Sequence, residues 1–307
     1  DDAKVSCWGY NIYGQLGNGT TTNSSVPVAV DTTGVLAGKT ITDISVGGYH
    51  ACALAGGAVY CWGYNIYGQL GNGTTTNSSV PVAVDTVGVL AGKTITQIAA
   101  GYSHTCVRDS DGKAYCWGNG TQGSLGNNTT ANSAVPVAVS TTGVLNGKTL
   151  TALTSGEGHS CALADAMAYC WGYNFAGQVG NNTTTNALVP VAVNTATVLS
   201  GRKLVDISAG SSHTCALDDA GLAFCWGYNV VGQLGNNTTT NSAVAVPVVT
   251  TGVLNGKTLV QVGNGSNHSC AVDSTGTAYC WGFNTGGQLG NGTTVNSGVP
   301  VAVSDFG

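Results

Sequence analysis

Charge is scarce in this chain. Only 7% of its 307 residues are Asp, Glu, Lys or Arg, and nine basic residues against fourteen acidic ones give a formal net charge of -5. A protein that neutralises a phosphate backbone needs clustered Lys and Arg, whereas Arg108 and Arg202 are the only arginines. Nucleic acid is therefore not an expected partner. Glu157 is the only glutamate, so paired catalytic carboxylates would have to come from unrelated turns. No Ser/His/Asp or Cys/His arrangement stands out either. Neither an enzyme nor a cofactor is expected. No apolar run approaches the roughly 20 residues that cross a bilayer as a helix, which argues against membrane insertion. The sequence opens Asp1-Asp2-Ala3-Lys4 without Met, which is not a signal peptide and fits a leader already removed.

Glycine and cysteine are plentiful instead. The 47 glycines mark many turns. Cys-Trp-Gly recurs at Cys7, Cys61, Cys116, Cys170, Cys225 and Cys280. A near-constant period of this size defines a repeat architecture, and the unbroken array predicts one domain over 1–307, with units starting near 7, 61, 116, 170, 225 and 280. The other cysteines pair each of the last five with Cys52, Cys106, Cys161, Cys215 and Cys270, across short turns such as Ala55-Gly56-Gly57. This pattern reads as a β-hairpin, in which opposed residues come within disulfide reach. Five hairpin disulfides are expected, and with them an oxidising, extracellular or cell-surface setting. Reduced cysteines packed as small hydrophobes are the alternative. The spacing is too long for zinc knuckles.

One unit contains four short strand patterns. Val26–Val30 is opened by a proline, which suits a sheet edge. Ile41–Val46 interleaves apolar and polar residues, and 50–54 and 59–63 flank the tight turn. In that hairpin Cys52, Leu54, Val59 and Cys61 share one face, with Ala51, Ala53, Tyr60 and Trp62 on the other. Four strands per unit and no helix predict an all-β chain, a β-propeller of four-stranded blades. A β-solenoid, with shorter coils and no antiparallel hairpins, is the runner-up.

The motif Trp-Gly-Tyr-Asn-x-x-Gly-Gln-Leu-Gly-Asn-Gly, followed by Val-Pro-Val-Ala-Val and Gly-x-x-His-x-Cys-Ala-Leu, resembles the repeats of the regulator of chromosome condensation family. The resemblance spans the whole chain and implies a propeller, seven-bladed in the eukaryotic founder. That founder is a guanine-nucleotide exchange factor on chromatin. Its activity depends on loops and a basic arm that have no counterpart here, and the paired cysteines bring secreted bacterial relatives nearer.

The strand tally gives about six blades, five complete and a half-blade at the N-terminus, which leaves Cys7 unpaired or intermolecular. The sequence is a fragment, or the last blade is incomplete, or a neighbouring molecule supplies strands to an unpaired edge.

Other candidates reduce to scaffold. His50, His104, His159, His213 and His268 occupy one position per complete unit, so they are expected to satisfy backbone groups within each blade rather than to bind metal. Gly-Lys-Thr at 38–40 and its copies fail the phosphate-loop spacing. Asp109-Ser110-Asp111-Gly112, like Asp218-Asp219 and Asp273-Ser274, lacks the Glu that closes a calcium loop and reads as a solvated hairpin tip. Asn18, Asn72, Asn127, Asn181, Asn236 and Asn291 each begin an Asn-x-Thr sequence that fits the glycosylation pattern, in loops expected on one rim of the ring.

The expected function is a non-enzymatic extracellular propeller serving as a structural or adhesive module that assembles with copies of itself by strand or edge complementation. A glycan- or protein-binding module of a larger surface protein is the alternative. Nucleotide exchange ranks third, disfavoured by charge and cysteines.

Overall fold

Strand-forming sequence alternates with glycine turns throughout, and the backbone follows. The computed structural model describes residues 5–304, so residues 1–4 and 305–307, the two ends of the expected domain span, lie outside the described residues. A two-stranded sheet comes first, with β1 (Ser6–Gly9) paired to β2 (Ser24–Ala29). The first complete blade is β3 (Ile41–Val46), β4 (His50–Ala55), β5 (Ala58–Gly63) and β6 (Ser78–Ala83), antiparallel and side by side in chain order. Four more four-stranded blades repeat this order over 95–138, 150–192, 204–247 and 259–302. The chain is an all-β propeller, and its single helical element among the described residues is the 3₁₀ turn Gly252–Leu254.

First strands of successive blades lie against one another, which sets them around the axis, and the Val-Pro strands form the outer edges. The outer strand begins two residues earlier than the proline suggests, at Ser24 rather than Val26. A shift of register between Cys7 and Gly9 accommodates the proline at this edge.

The central hairpin pairs Cys52 with Cys61, Ala53 with Tyr60 and Ala51 with Trp62. Small residues thus face large ones, and Trp62, Trp117, Trp171, Trp226 and Trp281 are all fully buried. The blade-to-blade contact repeats around the ring. Trp117 Nε1 donates to the Gln69 carbonyl of the preceding blade at 2.9 Å, and Trp171 does the same to Ser124 at 3.0 Å. Gly71, at a φ of +68°, lies flat under the Trp117 ring, where a Cβ would come within 2.6 Å of Nε1.

Two blade faces are left open. Trp8 is 63% exposed although it occupies the position of the five buried tryptophans. At the other end His268, Cys270 and Val272 are only half-buried, whereas His213, Cys215 and Leu217 in the preceding blade are fully buried.

Candidate functional site

The five cysteine pairs form disulfides: Cys52–Cys61, Cys106–Cys116, Cys161–Cys170, Cys215–Cys225 and Cys270–Cys280, with Cα atoms 4.0 to 4.1 Å apart. Cys7 is free and half-buried. Each staple closes the central hairpin of a blade.

The histidines differ from expectation. Instead of serving backbone groups within their own blades, four of the five, all but His268, reach across to the next. His50 Nε2 bonds Thr105 Oγ1 at 2.8 Å, and His104, His159 and His213 bond Ser160, Thr214 and Ser269 at 2.9 Å. Thr105 Oγ1 in turn donates to the Gln69 carbonyl at 2.9 Å, so its proton is spent and His50 carries its own on Nε2. Burial pushes His50, His159 and His213 down to about 3 and His104 to about 4. These rings are neutral blade-to-blade ties.

The hairpin tips are solvated only in part: Ser110, Asp111, Asp219 and Ser274 are exposed as expected, but the first aspartate of each tip is not. Asp109, Asp218 and Asp273 are fully buried, because Asp109 Oδ1 accepts the turn N–H groups of Asp111 and Lys113 at 3.0 and 2.8 Å. Tyr115 donates its hydroxyl to the other oxygen at 3.1 Å. Lys93, Arg202 and Lys257 pair with these three carboxylates, which gives two of the Gly-Lys-Thr lysines, Lys93 and Lys257, a structural partner.

Asn18, Asn72, Asn127, Asn181, Asn236 and Asn291 lie in the long loop before each outer strand. Each accepts a hydrogen bond from the threonine hydroxyl two residues on, at 2.8 to 3.0 Å. Buried asparagines such as Asn65 hold that loop together by donating to the Thr74 and Thr76 carbonyls. All of this is repeated construction.

A different picture emerges where the repeat breaks. At the end of the ring that carries these loops, a cavity of about 520 Å³ is lined by Tyr13, Tyr49, Tyr64, Tyr67, Tyr102 and Tyr173 together with Asn119, Gln122 and Glu157. The rings of Tyr10, Tyr13, Tyr49, Tyr64, Tyr67 and Tyr102 form a continuous network. Tyr13 and Tyr64 have centroids 4.5 Å apart, and Tyr49 meets Tyr102 edge-on at 5.5 Å. Gly48 makes room for this: a Cβ there would fall 2.6 Å from the Tyr102 ring.

The loops under the tyrosines are tied blade to blade by their backbones. Gly48 N–H donates to the Tyr102 carbonyl, Tyr102 N–H to Gly156, and Glu157 N–H to Ser211. Tyr102 and Glu157 also line the mouth of the axial channel, a cavity of about 240 Å³. Interaction with the Tyr49 hydroxyl, then burial, then nearby charge including Glu157, pushes Tyr102 up to about 12. Among the described residues no Lys or Arg lines the cup. It therefore presents aromatic faces, amide and hydroxyl groups and one carboxylate, a chemistry suited to holding a cation with an apolar stem.

The individual copies of the repeat did not point here, but departures from it do. Where the first two units have Tyr-Asn-Ile-Tyr (64–67), the next has Asn119-Gly120-Thr121-Gln122. The chain's sole glutamate stands at the position held by Gly48 and Tyr102 in the preceding units. Four of these residues, Asn119, Thr121, Gln122 and Glu157, line the cup.

Fold and site together define a disulfide-stapled β-propeller with a ligand-sized cup at one end. The sequence profile of the RCC1-like domain matches residues 1–306, and the chain belongs to that family. Among curated proteins it is 33% identical over 98% of its length to the ultraviolet-B receptor UVR8 of Arabidopsis thaliana, and 30% identical over 95% to the human E3 ubiquitin-protein ligase HERC2. It spans 65% of the receptor and 6% of the ligase.

Among solved structures, human WBSCR16 superimposes with a TM-score of 0.86 at 24% identity, covering all of this chain and 78% of that one. Yeast Prp20p, whose structure was described with its binding to Gsp1p and histones, gives 0.81 at 25% identity over all of this chain and 74% of its own.

Proposed function

We propose that this propeller is a non-enzymatic, extracellular protein-binding module that seats a Lys- or Arg-bearing segment of its partner in the tyrosine cup. The observation that carries this reading is the concentration of repeat-breaking residues around one cavity. Copies shared by every blade build the ring, but a side chain present once has no structural reason to recur. A cationic head over Tyr49 and Tyr102 gains roughly 0.5–2 kcal/mol from the ring quadrupoles, and Glu157 supplies the counter-charge. Protein partners are also the recorded property of the yeast relative, with Gsp1p and histones. The five disulfides support an oxidising compartment.

An array of immobilised peptides, read beside a glycan array, tests the proposal. Basic peptides should bind and lose affinity by about tenfold or more on Tyr49→Ala or Glu157→Gln, with melting unchanged. Binding confined to glycans, or indifferent to both substitutions, overturns it. The structural or adhesive role draws support from the open faces at Trp8 and His268. Electron microscopy of the 307-residue chain reads it: filaments favour self-assembly, and isolated particles count against it.

A further inference from the structure

The polar wall of the tyrosine cup presents donors. Asn119 Oδ1 accepts from the Thr121 N–H at 2.9 Å and from the Thr121 hydroxyl at 2.7 Å. A peptide N–H can only donate, so the oxygen of this amide is fixed there and Nδ2 is the end left over. Gln122 is fixed one step further on. The Asn174 N–H donates to Asn186 Oδ1 at 2.9 Å, which leaves Asn186 Nδ2 to donate to Gln122 Oε1 at 3.2 Å. Among the described residues neither Asn119 Nδ2 nor Gln122 Nε2 meets an acceptor, and both residues line the cup.

A backbone donor joins them. In the other five units a glutamine eight residues after the Cys-Trp-Gly cysteine accepts the N–H of the residue two before it, as Gln69 Oε1 does from Tyr67 at 3.1 Å and Gln178 Oε1 from Ala176 at 2.9 Å. The third unit has Ser124 at that position, and its hydroxyl turns to the Asn119 carbonyl instead. No acceptor among the described residues then meets the Gln122 N–H. The shorter side chain also leaves open the space that a glutamine would fill, and Ser124 lines the cup there.

Glu157 supplies the opposite polarity. Its carboxylate lines the same cup and has no basic partner among the described residues. The site is therefore dipolar, with one full negative charge and a set of N–H donors, two on each amide and one on the Gln122 peptide. A carbonyl oxygen offers such a set two lone pairs, whereas a carboxylate offers about four. Hydrogen bonds to a carboxylate are also about twice as strong as those to a neutral acceptor.

We infer that the cup reads a chain end: it binds a partner segment whose last residue is Lys or Arg, with the terminal carboxylate on the Asn119 and Gln122 donors and the side-chain cation between Glu157 and the Tyr49–Tyr102 pair. This rests on the basic-segment reading proposed above and narrows it. A basic residue inside a chain brings only a carbonyl to the donor wall. An apolar or acidic chain end leaves Glu157 without a counter-charge and adds a second carboxylate near it. Capture of a C-terminal carboxylate by N–H groups alone is an established mode of peptide recognition.

The probes are a short peptide ending in Lys with a free carboxylate, the same peptide amidated at its C-terminus, and the same peptide extended by one alanine, each labelled at its N-terminus and titrated by fluorescence anisotropy with the oxidised 307-residue chain. The free acid should bind at least about tenfold more tightly than the other two. Ser124→Gln restores the residue of the other units, fills the open space and gives the Gln122 N–H its acceptor. It should leave melting unchanged and bring the free acid to within about twofold of the amide. Gln122→Met keeps the side-chain length, removes its donors and should narrow the same gap. Glu157→Gln should weaken acid and amide by the same factor and leave their ratio intact. Equal affinity of acid and amide for the parent chain, with both weakened by Glu157→Gln, overturns this inference and leaves the basic-segment reading standing. A free-acid preference that survives in both Ser124→Gln and Gln122→Met also overturns it, since the carboxylate would then sit elsewhere. Failure of every basic peptide to bind overturns both.

Discussion

Trp117 and Gln69 stand on neighbouring blades, and the indole N–H of one donates to the backbone carbonyl of the other at 2.9 Å. The same bond joins Trp62 to Gln15, Trp226 to Gln178 and Trp281 to Gln233. It couples the Cys-Trp-Gly strand to the Gly-Gln-Leu-Gly turn of the previous unit, so two parts of one sequence motif meet in different copies.

Breaking this lock should be costly from either side. Trp117→Phe loses one hydrogen bond and leaves a void where the second indole ring packs, an expected loss of roughly 2–3 kcal/mol. Gly71→Ala places a Cβ 2.6 Å from the indole at a φ of +68°, which should cost roughly 2–4 kcal/mol from strain and overpacking together. Gly73, at a φ of +79° with nothing within 4 Å of a Cβ, isolates the backbone component. Gly73→Ala should cost only about 1 kcal/mol. Urea unfolding of the three variants reads the order.

Stability should fall in acid because of the buried histidines. Their folded-state pKa values are depressed to about 3 for His50, His159 and His213 and about 4 for His104, against roughly 6.5 in an unfolded chain. Between these values the unfolded state binds more protons, so the contribution is whole above about pH 6.5 and is lost as pH falls toward 3. His159→Gln should flatten that slope in melting curves taken across this window. A slope unchanged by the substitution would assign the acid response to other groups.

Thiol titration separates the stapled state from the reduced one. In denaturant the oxidised chain should expose a single reactive thiol, Cys7, and the reduced chain all eleven. Each staple spans 9 or 10 residues, for which loop entropy gives roughly 2–3 kcal/mol. Reduction should therefore lower the denaturation midpoint substantially.

Tyr102 should ionise late. A pH titration of tyrosinate absorbance, compared between the parent and Tyr102→Phe, should assign the component near 12 to this residue. Tyr49→Phe removes the first cause of that shift and should move Tyr102 down toward the ordinary tyrosine range of about 10.

Much of the architecture was legible because the repeat carries it in short-range form. The period set the blades, cysteine spacing across Gly turns set the hairpins, and alternation set which of Cys61 and Trp62 faces which side. The buried tip aspartates were not legible, since Asp109 reads as polar and turn-like whether its oxygens meet water or the N–H groups of its own turn. The histidine ties escaped for a related reason: the hydroxyl that holds His50 is on Thr105, a full unit away. Six tyrosines at four repeat positions, Tyr13 with Tyr67, Tyr64 with Tyr173, then Tyr49 and Tyr102, gave no signal of their own. They converge only because successive blades rotate about one axis and bring different positions to one rim.

Residues 7–30 and 61–84 are identical, and they mark the boundary between the two kinds of information. The shared sequence dictates the same strand, turn and outer edge in both, down to the register of Cys7 on Val28 and of Cys61 on Val82. Yet Cys61 is stapled and Trp62 is fully buried, while Cys7 is a free thiol and Trp8 is 63% exposed. Local sequence decides backbone conformation, because turns and alternation act within a few residues. Burial, pairing and reactivity depend on what the neighbouring blade brings, and only the assembled ring decides that.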